Sequence, residues 1–184
     1  MKARTLNSLL LLGFGLLFFC GAKDTDILYW NADKRLSWDD FAGEPRFDYE
    51  GVAALTSSGI VHYKGCKDNN INYRVRAYFE KHESWVKEEA LTTHHLRHEQ
   101  LHFDITELFA RKLRKVLSER AFKCGQEEEF ETFVSAYLEN WRNEQQKYDL
   151  LSRHSMDRAT QKEWYYKIAM ELSLLEDFKE PLKK

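Results

Sequence analysis

Five residues near the middle of this sequence have the types and spacing that bind a metal ion. His98-Glu-Gln-Leu-His102 places two histidines four residues apart, with a glutamate directly after the first. On a helix, residues four apart lie on one face, about 40° apart around the axis, so both imidazoles can reach one Zn²⁺ at about 2.0–2.1 Å. Glu99 would lie beside the metal, where it can move a proton from a zinc-activated water to a leaving amine. The motif therefore predicts one zinc ion, held by His98 and His102, with Glu99 as catalytic base.

A catalytic zinc also needs a third protein ligand and an open fourth position. His95 is a poor candidate because it lies about 10 Å from His102 along the helix axis, and we expect it at the rim of a cleft. His154 follows the second predicted helix, and a histidine in such a loop can turn toward a facing helix, so we select it as third ligand. Asp149 and Glu144 are the carboxylate alternatives.

Two further residues near the predicted zinc have candidate roles. Asp104 can orient a zinc-bound histidine through a hydrogen bond, and the alternative is a plain surface position. Tyr148 can donate a hydrogen bond to the oxyanion of a tetrahedral intermediate, although its helical spacing behind Trp141 favours a place in the core.

The second part of the chain has the periodicity of helices. Apolar residues recur three and four apart over 87–120, 127–151 and 160–178, which predicts three helices. The start of the first helix has three acceptable N-cap residues: Ser84, Thr92 and Thr93.

The first part of the chain has the pattern of strands. Residues 27–30 form a short candidate strand, and residues 52–63 and 71–79 alternate apolar and polar side chains around a turn-forming stretch at 64–70. The chain is therefore predicted as an α+β fold, in which an N-terminal antiparallel hairpin or small sheet packs on a C-terminal three-helix unit that carries the histidine motif.

The first 22 residues have the pattern of a secretory signal peptide. Lys2 and Arg4 precede an apolar run of 11 residues, Leu9–Phe19, which is shorter than the roughly 20 residues of a spanning helix. Cleavage after Ala22 would leave one domain, 23–184, in the periplasm or outside the cell. The alternative is a lipoprotein signal that ends before Cys20, which would then carry a lipid anchor.

The two other cysteines and the charge balance agree with an exported protein. An even pair, Cys66 and Cys124, predicts a disulfide. Without the leader, the chain has 26 basic and 30 acidic residues and a net charge of −4. This balance gives no general attraction to nucleic acid.

The residues around the motif resemble a known bacterial family. The stretch Leu96–Glu107 is similar to the signature of bacterial domain of unknown function 922, whose members are often labelled zinc-dependent proteases. Further similar pieces are Leu36–Gly43, Ser84–Val86, Tyr148-Asp149 followed by His154, and Gln161 with Trp164.

The resemblance covers most of residues 27–172 and implies an exported, zincin-like fold. It implies His98 and His102 as zinc ligands and Glu99 as base, and it supports His154, since the family has a histidine there. Ser155 and Leu101 depart from the family, which commonly has glycine at both positions.

Together, these observations predict an exported zinc metallopeptidase that hydrolyses peptide or amide bonds in a peptide or protein substrate, cell-wall peptides included. The alternative is a non-catalytic envelope or binding protein that the same zinc stabilises. The sequence predicts no nucleic-acid partner and no transmembrane span.

Overall fold

The computed structural model describes residues 26–48 and 51–180, and these form a mixed α+β fold. A small antiparallel sheet precedes three α-helices, as the sequence predicts. The predicted signal peptide, residues 1–22 with Cys20, lies outside the described residues.

The strands form two separate antiparallel sheets. They are β1 (Ile27–Tyr29), β2 (Ala54–Leu55), β3 (Ser58–Lys67), β4 (Asn70–Glu80) and β5 (Trp85–Val86). The larger sheet has the order β1-β4-β3, and β2 pairs with β5. The β3–β4 hairpin turns at Asp68 and Asn69, which both have positive φ, as tight two-residue hairpin turns require. The strands therefore extend into the stretch predicted as a long turn, 64–70.

The strand predicted over 52–63 is interrupted in the structure. The hydroxyl of Thr56 donates to the backbone carbonyl of Glu99, and the backbone amide of Ser57 donates to the hydroxyl of Ser84. These bonds turn the chain between β2 and β3. As a result, β2 leaves the larger sheet and lies against the helix that carries the histidine motif.

Three helices follow: α1 (Thr93–Glu119), α2 (Glu127–Ser152) and α3 (Arg158–Leu174). Helix α1 begins six residues later than its predicted start at 87, because Thr92 is the N-cap and its hydroxyl accepts from the backbone amide of His95. Helix α3 begins after the N-cap Asp157 and ends at Leu174, short of the predicted 178.

Helix α1 lies at the centre of the fold and is apolar on two sides. Phe103, Ala110 and Leu113 pack with the buried face of the larger sheet. Leu101, Ile105 and Leu108 pack against Tyr148, Trp164 and Ile168 of α2 and α3. Burial on both sides fixes the position of the motif at 98–102.

The predicted disulfide is confirmed. Cys66, near the turn of the β3–β4 hairpin, is bonded to Cys124 in the loop between α1 and α2, with a Cα–Cα distance of 5.7 Å. The bond ties the far end of the sheet to the helices. Among the described residues, no helix is both long and apolar enough to cross a bilayer.

Candidate metal centre

His98 and His102 direct their imidazoles to one point between α1 and α2. Their Nε2 atoms lie 3.2 Å apart. Oδ1 of Asp149, from α2, lies 3.1 Å from Nε2 of His98 and 3.0 Å from Nε2 of His102. These three side chains form a group able to hold a metal ion.

The spacing of these three atoms fits a small tetrahedral ion. With bonds of about 2.0–2.1 Å, neighbouring ligand atoms of a tetrahedral zinc lie about 3.3–3.4 Å apart. The separations of 3.0, 3.1 and 3.2 Å are slightly shorter, so small side-chain shifts would suffice. Two imidazole nitrogens and one carboxylate oxygen are also a donor set that zinc accepts.

Gln145 fixes the orientation and the tautomer of His102. Its amide nitrogen donates to the His102 backbone carbonyl at 2.9 Å and to the Thr106 hydroxyl at 3.0 Å. Its oxygen therefore faces Nδ1 of His102, 2.6 Å away, and accepts the Nδ1 proton. Because Nδ1 carries that proton, Nε2 is the nitrogen left to bind a metal, as in metal sites whose second imidazole nitrogen donates to an acceptor.

The two imidazoles differ in their protonation. Burial is the main reason that the pKa of His98, only 4% exposed, is lowered to about 4, so its imidazole is neutral at pH 7. Burial also opposes the charge on His102, but the adjoining Asp149 carboxylate outweighs it and raises the pKa of His102 to about 9. The position between His102 and Asp149 thus attracts a positive charge, and a metal ion would replace the proton on Nε2.

The Asp149 carboxylate is held in its ionised form. Burial favours the neutral acid, but hydrogen bonds from both histidines outweigh this and lower the pKa of Asp149. A permanently charged carboxylate is the form that binds a metal cation.

Glu99 lies at the floor of the same cleft and is buried. Glu99 is only 4% exposed, and this burial raises the pKa of its carboxyl group. Hydrogen bonds from the side chain and backbone of Thr56 lower that pKa but do not outweigh burial. A carboxylate with a raised pKa is a stronger base, which suits a group that accepts and then releases a proton.

The cleft has a volume of about 420 Å³, and β2 forms one of its walls. Residues 52–56 line this wall, and α2 and the loop after it line the opposite one. The amide of Lys87 donates to the carbonyl of Ala53, so Ala53 faces β5. Because backbone groups alternate along an antiparallel strand, Ala54, which lines the cleft, directs its own N–H and C=O away from β5.

The third-ligand candidates lie in different places. Asp149 is in the metal-binding group, and His154 is beside it, with Nδ1 3.6 Å from Oδ1 of Asp149 and 54% of its side chain exposed. His154 lines the cleft but is not part of the group of three. Glu144 binds Lys167 of α3 at 2.6 Å instead. His95 also lines the cleft, as expected.

The carboxylate of Asp104 forms hydrogen bonds with residues other than the two histidines. Its carboxylate accepts from Trp30, Arg35 and Gln100 at 2.7–3.1 Å. Asp104 therefore ties α1 to the segment that follows β1. The predicted hydrogen bond to a metal-binding histidine is not among those its carboxylate makes within the described chain.

Tyr148 lies behind the imidazoles and is fully buried. Its ring is stacked on His98 with a centroid distance of 4.7 Å, and it contacts the edge of His102 at 4.9 Å. Burial raises the pKa of its hydroxyl, which has no hydrogen-bond partner among the described residues. In this position the ring supports both imidazoles, in line with the core placement that its spacing favours.

The comparison with family models gives a match that spans the residues of the candidate metal centre. Residues 69–155 match the family described as Bacterial protein of unknown function (DUF922). No curated protein and no solved structure matches the chain. The DUF922 match agrees with the sequence resemblance, and its description assigns no activity.

Within the DUF922 match, sequence reasoning missed Gln145. A signal was available, because Gln145 lies four residues before Asp149 and so shares its face of α2. Thr56, which contacts Glu99, lies outside the matched residues and was missed as well, since its role depends on the break between β2 and β3.

Proposed function

We propose that this protein is a zinc metallopeptidase. The observation that supports this most is the convergence of His98 Nε2, His102 Nε2 and Asp149 Oδ1 beside buried Glu99, at the floor of an open cleft. Three protein ligands leave one coordination position free, which is the arrangement of catalytic rather than structural zinc. We assign Asp149 as the third ligand.

The residues of the cleft would have separate roles in peptide-bond hydrolysis. Bound zinc would supply Lewis acidity, polarising the scissile carbonyl and lowering the pKa of the attacking water. Glu99 takes one proton from that water while the water oxygen bonds to the carbonyl carbon. Glu99 then passes the proton to the nitrogen as the C–N bond breaks, so one acid and one amine leave for each water consumed.

The β2 edge would hold the substrate in an extended form. The N–H and C=O of cleft-lining Ala54 point away from β5 and have no hydrogen-bond partner among the described residues, and an added peptide strand can pair with such an edge. An edge strand beside a helix with this histidine motif is the arrangement implied by the zincin-like resemblance. Main-chain pairing accommodates peptide and protein substrates, cell-wall peptides among them.

We also infer that the protein acts outside the cytoplasm. The Cys66–Cys124 disulfide supports this, since such bonds persist in oxidising compartments. The leader pattern of residues 1–22 points the same way.

Replacement of Glu99 tests the proposed function. Glu99→Gln keeps the size of the side chain and is expected to retain zinc while its rate on a broad peptide library falls about 10²–10⁴-fold. The measurement pairs zinc content with cleavage detected by mass spectrometry. Absence of cleavage by the zinc-loaded wild-type protein, or full activity of Glu99→Gln, would contradict the proposal and favour a non-catalytic zinc protein.

A further inference from the structure

We propose that Arg142 makes this cleft selective for acidic peptides by binding a substrate carboxylate on the amino-terminal side of the scissile bond. The inference rests on the proposed peptidase function and specifies its substrate class.

Arg142 is a free cation in the cleft wall. The cleft lining, within the described part of the chain, contains one arginine and no lysine. Arg142 is exposed, and no hydrogen bond or ion pair joins it to another described residue. Two arginines of α1 are paired by contrast, since Arg111 and Arg114 both bind Glu107. The guanidinium of Arg142 is therefore available to a ligand.

The position of Arg142 on α2 places it within reach of a bound peptide. Arg142, Gln145 and Asp149 lie on the face of α2 that lines the cleft. Seven residues separate Arg142 from Asp149, which is about 10 Å along the helix axis. An extended peptide advances about 3.3 Å per residue. Arg142 therefore faces a side chain within about three residues of the scissile bond.

The neighbours of Arg142 show at which end of the cleft it lies. Trp141 donates to the Thr106 hydroxyl at 3.1 Å, and Thr106 is 2.8 Å from the hydroxyl of Ser58. Ser58 follows β2, so Arg142 lies at the carboxyl end of β2. A peptide paired antiparallel to β2, the more stable mode of pairing, has its amino-terminal part at this end.

The chemistry of the wall favours a single carboxylate as the ligand. A guanidinium binds a carboxylate through two parallel, charge-assisted hydrogen bonds. A polyanion such as nucleic acid needs several arginines or lysines, and the described lining has one arginine and no lysine. Val52, Ala53 and Leu55, which also line the cleft, are apolar and bring no side-chain charge of their own.

Matched peptides test the inference directly. The probes are alanine-rich decapeptides that carry one Glu or one Gln at each position in turn, measured with wild-type protein, Arg142→Met and the control Lys147→Met. Lys147 is a cation of the same helix outside the cleft lining. We expect wild type and Lys147→Met to prefer Glu over Gln by at least about tenfold in kcat/KM, within three residues on the amino side of the cleaved bond. In Arg142→Met, this ratio should fall to about one.

A ratio near one in the wild-type protein, an unchanged ratio in Arg142→Met, or a preference on the carboxyl side alone would overturn the inference. If no peptide is cleaved, the proposed function fails, and equilibrium binding of the same peptides to the zinc-loaded protein decides about Arg142. Tighter binding of Glu peptides that is lost in Arg142→Met supports the carboxylate site. Equal binding of Glu and Gln peptides overturns it.

Discussion

Each residue of the candidate metal centre offers one ligand atom, and the surrounding side chains determine which atom it is. His102 presents Nε2 because Gln145 accepts the proton of Nδ1. His98 presents Nε2 because its ring is stacked on Tyr148 and faces Asp149. The local motif alone therefore does not define the centre.

The third ligand can be identified by comparing two variants. We expect Asp149→Asn to lower zinc affinity roughly a hundredfold or more, because its charged oxygen lies beside both imidazoles. His154→Ala should change it less than about tenfold, since His154 is half exposed and outside the group of three. Competition with a chelating dye measures both affinities. The opposite ranking would establish His154 as the third ligand, as the sequence predicts.

The role of Gln145 can be tested by removing its acceptor oxygen. Gln145→Leu should lower zinc affinity about 10–100-fold, because Nδ1 of His102 loses its partner, whereas Gln145→Glu keeps an acceptor and should retain binding. Gln146→Leu is the matched control, since Gln146 lines the cleft and has no hydrogen bond to either histidine. Equal affinities for Gln145→Leu and Gln146→Leu would show that Gln145 has no part in positioning the metal ligand.

The sequence predicts the candidate site residues that lie close together on one helix. It does not determine which residue from another helix joins them. His98, Glu99 and His102 follow from spacing on one helix. Asp149 and His154 are five residues apart at the end of α2, and which of them faces the motif depends on the packing of two helices. Such packing has no signature in a single segment, so the sequence analysis selected His154 and kept Asp149 as an alternative.

At the scale of elements, the segment after α2 carries backbone strain beside the centre. Arg153, His154 and Ser155 all have positive φ, at 53°, 49° and 72°. This conformation costs most residues about 1–2 kcal/mol. The strained turn places His154 in the cleft and lets His94 contact the carbonyl of Ser155 at 2.6 Å. Glycine, common at position 155 in the family that the sequence resembles, tolerates such a backbone.

Ser155→Gly should therefore stabilise the protein. We expect an increase of about 0.5–1 kcal/mol in the free energy of unfolding, because glycine adopts positive φ without steric cost. Urea denaturation measures it. The same change at Ser173, within α3, should lower stability by about 0.5 kcal/mol. A loss of stability in Ser155→Gly would mean that the backbone at this position is not strained.

The elements themselves were predictable where their pattern is long. Helix α2 begins at the predicted residue and ends within one residue of the prediction, and the hairpin of β3 and β4 follows from alternation. The separation of β2 from β3 was not predicted, since residues 52–63 were interpreted as one strand segment of apolar and small polar residues. It arises from the contacts of Thr56 with Glu99 and of Ser57 with Ser84, which join distant segments.

At the scale of the whole molecule, the disulfide that stabilises the fold lies far from the candidate metal centre. Ser58 lies at the cleft, and Cys66 is eight residues further along β3, about 26 Å away. The disulfide joins the hairpin end to the loop after α1 and closes 58 residues of chain.

Removal of the disulfide should therefore lower stability and leave the metal centre unchanged. Replacing Cys66 and Cys124 together by serine is expected to lower the free energy of unfolding by about 2–4 kcal/mol, since the unfolded chain gains freedom. Urea unfolding of both proteins gives this difference, and zinc titration at low urea gives the affinity. A large loss of zinc affinity in the folded variant would show that the hairpin end and the centre are coupled.

A crystal structure of the zinc-loaded protein, with anomalous diffraction measured at the zinc edge, shows whether His98, His102 and Asp149 hold the metal. We expect one zinc peak about 2.0–2.2 Å from Nε2 of His98, Nε2 of His102 and Oδ1 of Asp149, with a fourth position open to the cleft beside Glu99. A peak elsewhere, or a zinc closed by four protein ligands, would contradict it.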